Sequence, residues 1–304
     1  MMKTATAMLV LSALGAIATP LKQFQSRAAA GYSDTQILQY ALTLENLEKS
    51  LYSDFLAKYS AQDFANAGYP DWVRSRLTQV SDHEAAHVEL LSTVLGSDAV
   101  QPCTYSFPYT DIPSFLGLSS TIENVGVSAY SGAAQYITSP AYLSVAAVIL
   151  STEARHQAWE SSAVLKNAAW SGPYDTVLGL DMVYTLASAF ITSCPDSNAA
   201  LPVKAFPALT VNTPTPGATS TFSFKGGNGG PYYAIFYNGL GTQSEQLDAN
   251  NAAMIPSALQ GFSYVIIAST GNATAVTDDN IVAGPAILSF PFNSKVSNPG
   301  FTGQ

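Results

Sequence analysis

Glu84-Ala85-Ala86-His87 and Glu153-Ala154-Arg155-His156 are two stretches in which a histidine follows a glutamate by three residues. A lone glutamate precedes each stretch, Glu45 in the first case and Glu123 in the second. Residues three apart on a helix share a face, so each glutamate can bind the same ion as its histidine. The repeat therefore predicts six metal ligands on four helices: Glu45, Glu84, His87, Glu123, Glu153 and His156.

Each candidate ligand also lies on an apolar helix face, as Glu84 does between Val80 and Val88. Four carboxylates facing one core are costly unless protons or cations neutralise them. Two divalent cations balance four carboxylates, and this ligand set suits iron or manganese, with zinc as a further option. A single Glu-x-x-His is more often two solvated side chains. Two such pairs in a chain with three histidines favour two metal ions of unknown identity.

The composition is that of a globular and rather apolar chain. Its 304 residues carry a net charge of −9, and only 11% of them are charged. Basic residues are few and do not cluster, which argues against nucleic acid and anionic membrane surfaces as partners. At this length the chain is expected to form one large or two ordinary domains.

The beginning of the chain has the features of a secretory signal. Lys3 precedes an apolar segment at 7–17, and small residues follow it. We expect residues 1–19 to be a signal peptide and residues 20–32 a flexible or pro-segment, with an uncleaved anchor as the alternative. No later segment is expected to span a membrane. The predicted location is secreted, either extracellular or in the cell wall.

A secreted protein with two cysteines is expected to form one disulfide, here between Cys103 and Cys194. Free thiols that bind metal are the lesser alternative, because their placement does not resemble a zinc motif. Asn272-Ala273-Thr274 is an acceptor for N-glycosylation, with Asn272 as the modified residue.

The chain divides into a helical part and a strand-rich part, which predicts an α+β multidomain protein. A four-helix bundle plus a fifth helix is expected over 33–195, with a long crossover at 97–112 that lets the second and third helices run in the same general direction. The five helices cover about 33–58, 72–95, 112–137, 139–169 and 174–192. Alternating segments then predict a small β-sandwich at 203–293, followed by a tail at 294–304. Its clearest strands are 219–224, 232–237, 262–268 and 281–292, and the glycine-rich segment 226–230 is a hairpin or flexible loop.

The six-ligand pattern resembles the ferritin-like superfamily over about residues 33–193. With the signal peptide and strand-rich tail it most resembles fungal secreted ferritin-like proteins described as stress-response or sexual-development proteins, on stretches such as 40–45 and 81–87. The resemblance implies that Glu84 and Glu153 bridge two metals. Glu45 and His87 would complete one metal, and Glu123 and His156 the other. Expected secretion and the β-region depart from storage ferritins, so an iron-mineral cage is not implied.

Several neighbouring side chains are candidates for supporting the ligands. Tyr52 and Tyr130 each follow a glutamate by seven residues and can hydrogen-bond a ligand, although core packing is the more common role. Glu48 offers a further carboxylate, with a solvated face as the alternative. Glu160 is expected to hold the second nitrogen of His156, and His83 is expected at the surface or beside a ligand.

The predicted function is a secreted carboxylate-bridged dimetal protein that reacts with dioxygen or a peroxide, a dimetal oxidoreductase if it turns over. A non-catalytic extracellular metal-binding protein and a cell-surface structural protein are the alternatives. The expected partners are metal ions and dioxygen or peroxide. The sequence leaves the oligomeric state and any organic substrate open, and it names no catalytic residue beyond the ligands.

Overall fold

A computed structural model describes residues 31–227 and 229–296. The expected signal peptide, nearly all of the 20–32 segment and residues 297–304 of the tail lie outside this range. Within it, six α-helices come first and antiparallel sheets follow, so the α+β class is confirmed. None of the helices described there has the length and apolar character that a membrane span requires.

Four long helices carry the helical part, and side-chain caps fix where several of them begin. Ser33 and Gln36 form a capping box at the first helix, as do Asp111 and Ser114 at the fourth. Pro140 occupies the first turn of the fifth, where its missing N–H costs nothing. The helices are α1 (Asp34–Lys58), α2 (Ala61–Asn66), α3 (Asp71–Leu95), α4 (Ile112–Ala133), α5 (Pro140–Trp159) and α6 (Leu180–Ser188).

The expected end of α5 near residue 169 is wrong. The helix ends at Trp159 and is followed by a π-helical turn, Glu160–Val164. Beyond it the backbone N–H of Ala168 donates to the carbonyl of Phe292 at 3.0 Å. The sequence at 165–169 is compatible with a helix, but a hydrogen bond to the distant β-region replaces the helical one.

The last helix is also shorter than the expected 174–192: it begins only at Leu180, and the expected final residues form a strand. Strand β1 (Thr104–Tyr105), in the crossover after α3, pairs antiparallel with β2 (Ile191–Ser193). The disulfide between Cys103 and Cys194 lies directly beside this pair and confirms the predicted bridge. The crossover is thereby attached to the segment that follows α6.

The C-terminal part contains two antiparallel sheets. One has the strand order β3-β4-β7, and the other has the order β6-β5-β8-β9. The four expected strands correspond to β4, β5, β8 and β9. Three others are short or polar and were not expected. The strands are β3 (Leu209–Val211), β4 (Thr219–Phe224), β5 (Tyr233–Asn238), β6 (Gly241–Gln246), β7 (Ala252–Met254), β8 (Gly261–Ala268) and β9 (Ile281–Phe290).

Strands β4 and β5, which flank the glycine-rich segment 226–230, belong to different sheets, so the hairpin alternative for this segment is wrong. The apolar stretch 141–150 in the first half of α5 is only partly buried, since Leu143 is 40% and Val148 is 61% exposed. Only one side of this part of α5, including Ala146 and Ile149, packs into the core.

The four-stranded sheet is buried on both faces, and alternate residues of β8 contact different neighbours. Val265 and Ile267 pack with Phe222 in a core shared with the three-stranded sheet. Tyr264 and Ile266 instead join the apolar core of the helices. Successive side chains of a strand point to opposite faces, so burial on both sides explains the continuous apolar run of this strand. The sheet is a middle layer between the helices and the second sheet.

Two glycines of α4 test how closely this helix packs against the segment that precedes α6. A Cβ on Gly132 would lie 1.8 Å from the carbonyl oxygen of Leu178, whereas one on Gly117 would meet no atom within 4 Å. We expect Gly132→Ala to lower the free energy of unfolding by about 2 kcal/mol or more, since backbone must move. Gly117→Ala should raise it by about 0.5–1 kcal/mol through helix propensity. Urea unfolding of both variants measures the difference, and equal effects would contradict the close approach.

Candidate metal centre

The six predicted ligands come together in the core of the bundle. α1 contributes Glu45, α4 contributes Glu123, and α3 and α5 each contribute one Glu-x-x-His pair. The four glutamates are each 0% exposed, and His156 is 5% exposed. Their ligand atoms form two groups, each within 4.8 Å: Glu45, Glu84, His87 and Glu153 in one, and Glu84, Glu123, Glu153 and His156 in the other.

Glu84 and Glu153 belong to both groups, which is the arrangement expected of two shared carboxylates. Glu45 and His87 occur only in the first group, and Glu123 and His156 only in the second. The division of the six residues thus matches the one that the family resemblance implied. Their roles as bridging and terminal ligands stay a prediction.

The Nδ1 atom of His87 faces three carboxylates at once. It lies 3.2 Å from Oε2 of Glu45, 3.1 Å from Oε2 of Glu84 and 3.2 Å from Oε1 of Glu153. One N–H group cannot donate well to three acceptors in different directions. Ligands about 2.1 Å from one cation are separated by roughly 3.0–3.4 Å, which agrees with these distances.

His156 occupies the matching position in the second group. Its Nδ1 lies 3.2 Å from Oε1 of Glu84 and 3.2 Å from Oε2 of Glu123. Oε1 of Glu84 and both carboxylate oxygens of Glu153 are buried without a hydrogen bond. Buried polar atoms are nearly always satisfied in native proteins, so unpaired oxygens at the centre of the cluster are suited to binding a cation.

The crowding of buried acids changes their proton affinities. Burial raises the pKa of Glu45 to about 7, and burial with the nearby charge of Glu84 raises the pKa of Glu153 well above its usual range. Burial also acts to raise the pKa of Glu84, but contact with His156 and His87 outweighs it and lowers that pKa to about 2. Without a cation the cluster must therefore retain protons at neutral pH.

The cluster also shifts the pKa values of both histidines. Burial alone would lower their pKa values, but the surrounding carboxylates raise the pKa of His87 and of His156 to about 10. The imidazolium groups act as counter-ions for the acids when no metal is bound. A metal ion would replace these protons, because it binds neutral imidazole and ionised carboxylate.

Two tyrosines hydrogen-bond the outer glutamates, so their role is not limited to core packing. Tyr130 donates to Oε1 of Glu45, and Tyr52 donates to Oε1 of Glu123 at 2.5 Å. Both tyrosines are buried. Each hydroxyl fixes the carboxylate that belongs to only one of the two groups.

Glu160 lies beside the cluster but does not hold His156, which corrects the expectation. Its Oε1 is 3.0 Å from the Tyr52 hydroxyl, and its Oε2 accepts from Ser119 at 2.8 Å. Burial raises the pKa of Glu160 to about 8, so it holds a proton at pH 7. It can then donate to the Tyr52 oxygen while Tyr52 donates to Glu123.

Nε2 of His156, the nitrogen that the sequence assigned to Glu160, lies 2.9 Å from Nδ1 of His83 instead. His83 is exposed at the surface, and its ring stacks on that of His156 at an interplanar angle of 12°. Its position one residue before Glu84 turns it to the side of α3, where it meets α5. His83 thus connects a candidate ligand to the surface of the bundle.

Glu48 is 3% exposed, so the alternative of a solvated face is wrong. Burial, followed by the charges of Glu45 and Glu84, raises the pKa of Glu48 well above its usual range. Its carboxylate approaches Gly126 of α4, where a Cβ would lie 2.9 Å from Oε1 of Glu48 and 3.4 Å from Oε2 of Glu153. A glycine here gives both carboxylates room.

Support from the β-region was not foreseen in the sequence. The Tyr264 hydroxyl on β8 donates to Oδ1 of Asn124 at 2.8 Å and lies 3.2 Å from Oγ of Ser128. Both partners are on α4, and Asn124 follows Glu123 directly. The pattern of strand and helix gave no signal for this contact, because it depends on how the sheet packs against the bundle.

The family model of the ferritin-like domain matches residues 33–166. Residues 33–166 form a ferritin-like domain. The matched segment includes all six candidate ligands and the four helices that carry them, so the predicted superfamily resemblance is confirmed.

A curated fungal relative also matches, and its match reaches beyond the length of the ferritin-like domain. Protein rds1 of Schizosaccharomyces pombe is 27% identical over 183 residues. The match covers 60% of this chain and 45% of the relative, so it spans less than half of that protein's length. It agrees with the expected resemblance to fungal proteins and assigns no activity to this chain.

The shifted pKa values predict how stability changes with pH when metal is removed. Glu45 and Glu160 have folded pKa values of about 7 and 8 against an ordinary 4.5, and both histidines have values of about 10 against 6.5. Raised values give stability that is present at low pH and lost as pH rises through them. We expect the free energy of unfolding in chelator to fall by at least about 2 kcal/mol from pH 5 to 9.

Urea unfolding at one-unit pH steps measures this slope. Glu160→Gln should reduce the slope between pH 5 and 8, because that group no longer titrates. Glu89→Gln, an exposed glutamate on α3, should leave it unchanged. A metal-free protein that becomes more stable towards pH 9 would be inconsistent with the raised values.

Proposed function

We propose that the ferritin-like domain binds two iron or manganese ions between Glu45, Glu84, His87, Glu123, Glu153 and His156, and that this centre reacts with dioxygen or a peroxide. The observation that carries the proposal is the pair of overlapping ligand groups that share Glu84 and Glu153. The unpaired buried oxygens of these two residues support it. When bound, the ions would supply the redox chemistry, since each can change its oxidation state.

The residues around the cluster support this chemistry. Tyr130 and Tyr52 orient Glu45 and Glu123, which keeps the outer carboxylates in place as charge changes. Glu160 holds a proton that the Tyr52 hydroxyl can relay to the edge of the cluster at Glu123. The reduction of an oxygen species consumes protons, so a buried acid connected to the ligands is suited to it.

Non-catalytic metal binding is the second candidate, and the same ligand groups favour it equally. Reconstitution of the purified protein with ferrous or manganous ion, followed by metal analysis and measurement of oxygen uptake, separates the two. Bound metal with oxygen or peroxide consumption over many turnovers supports the oxidoreductase. Two bound ions without turnover support the second candidate. The absence of bound metal after reconstitution would overturn both.

Removal of a shared ligand should greatly reduce metal binding at the centre. Glu153→Gln preserves the volume of the side chain but removes a charge from both groups, so we expect bound metal to fall from two ions per chain to below one. Ferrous oxidation should slow at least about tenfold, in the range expected for loss of a ligand or its support. Glu89→Gln is the matched control on an exposed surface. Full metal occupancy in Glu153→Gln would argue against its role.

The proposal includes secretion, with the disulfide between Cys103 and Cys194 as its support, because such bonds persist in oxidising compartments. The signal peptide proposed at residues 1–19 lies outside the described structure. The proposed glycosylation residue, Asn272, is exposed and therefore accessible to modification.

Expression of the whole chain in a yeast host tests secretion. We expect the protein in the medium, beginning near residue 20, with a glycan at Asn272 that adds mass and is removed by a glycosidase. Asn272→Gln should lack this added mass and still be secreted. Mass spectrometry of medium and cell fractions distinguishes the outcomes, and full-length protein retained in the cytosol would contradict secretion.

A further inference from the structure

A cavity of about 420 Å³ lies between the helices and the β-region, directly beside the carboxylate cluster. Leu44 and Val125 of the bundle line one side, and Phe206 and Ile287 line the other. Its volume lies within the range of roughly 300–1,000 Å³ that is usual for small-molecule sites. The exposed residues Ala189 and Ala208 also line it, so it reaches the surface at that end.

The inner end of the cavity is formed by Glu48 and Gly126. Glu48 is 97% buried, being 3% exposed, and its carboxyl group makes no hydrogen bond with any group of the described residues. Gly126 has no side chain that would separate the cavity from Glu48 and Glu153. A molecule in the cavity therefore reaches the carboxyl group of Glu48.

The other polar side chains of the wall are already satisfied. Thr121, Thr185 and Ser188 each donate their hydroxyl to a backbone carbonyl, at 2.7, 2.7 and 3.0 Å. None of the residues that line the cavity is a lysine, arginine or histidine. The wall thus offers apolar surface, one unpaired carboxyl group at its inner end, and no counter-ion for an anionic ligand.

We propose that this cavity is a binding site for an uncharged, largely apolar organic molecule with one hydroxyl group, held by a hydrogen bond between that hydroxyl and Glu48. Apolar walls supply most of the affinity by removing the hydrocarbon part from water. The single hydrogen bond sets the orientation, with the hydroxyl end towards the carboxylate cluster. The site goes beyond the proposed metal chemistry and does not depend on it, because none of its walls requires a bound ion.

Straight-chain alcohols added to the chelator-treated full-length protein test the site. Isothermal titration calorimetry with 1-butanol, 1-hexanol and 1-octanol should show one site per chain, with affinity rising about fourfold per added methylene. Because metal is removed, failure of the proposed metal function would not affect this result. No binding by any of the three alcohols would overturn the site, as would an affinity independent of chain length.

Variants at both ends of the cavity locate the binding. Ala208→Trp places a large side chain at the exposed end and should weaken 1-octanol binding at least about tenfold. Ala147→Trp, at an exposed position of α5 outside the cavity, is the control and should bind like the parent protein. Equal binding by the parent and Ala208→Trp would place the alcohol elsewhere and overturn the proposal.

The polar end is tested by comparing ligands. Glu48→Leu should weaken 1-hexanol about tenfold, as expected for loss of one hydrogen bond, and leave hexane unaffected. Glu48→Gln, which still hydrogen-bonds, should retain 1-hexanol. Octanoate should bind more weakly than 1-octanol, because it brings a negative charge into an apolar cavity that offers no counter-ion. Tighter binding of octanoate, or an unchanged alcohol affinity in Glu48→Leu, would overturn the assignment.

Discussion

The structure depends on neutralising a set of carboxylates in a dry interior. Six glutamates are buried within the helical part: Glu45, Glu48, Glu84, Glu123, Glu153 and Glu160. Protons on some of them and positive charge on His87 and His156 can balance the others, but two carboxylate oxygens of Glu153 stay unpaired. Hydrophobic side chains at these positions would make a more stable bundle. Retention of acids at a cost in stability is the strongest reason to assign the cluster a role in binding cations.

The arrangement around the cluster is asymmetric even though the ligand sets repeat. Apart from the candidate ligands, Tyr130 hydrogen-bonds Glu45, whereas Tyr52 connects Glu123 to Glu160, which also accepts from Ser119. The π-helical turn that begins at Glu160 interrupts α5 directly after the second Glu-x-x-His pair. Such turns are often found at functional sites because they change the direction of one or two side chains. The two halves of the site thus have different proton donors within reach.

Much of the fold and nearly all of the ligand set could be predicted from the sequence, because both follow from local periodicity. The apolar stripe and capping residues fix α1 at Asp34–Lys58, and a spacing of three residues places Glu84 with His87. What the sequence could not supply depends on distant contacts. The chain beyond α5 hydrogen-bonds to Phe292, the partner of His156 depends on how α3 meets α5, and the cavity exists only where the sheet meets the bundle.

The middle position of the four-stranded sheet has a consequence for how its sequence tolerates change. Alternate residues of β8 pack into two different apolar cores. Substitutions at neighbouring positions of this strand therefore affect different parts of the molecule. Truncating Val265 or Ile267 loosens the sandwich and leaves α4 supported. Truncating Tyr264 instead removes the hydroxyl that contacts Asn124, the neighbour of the candidate ligand Glu123. A mutational scan along this one strand would therefore alternate, residue by residue, between effects on folding of the C-terminal layers and effects on the chemistry of the bundle.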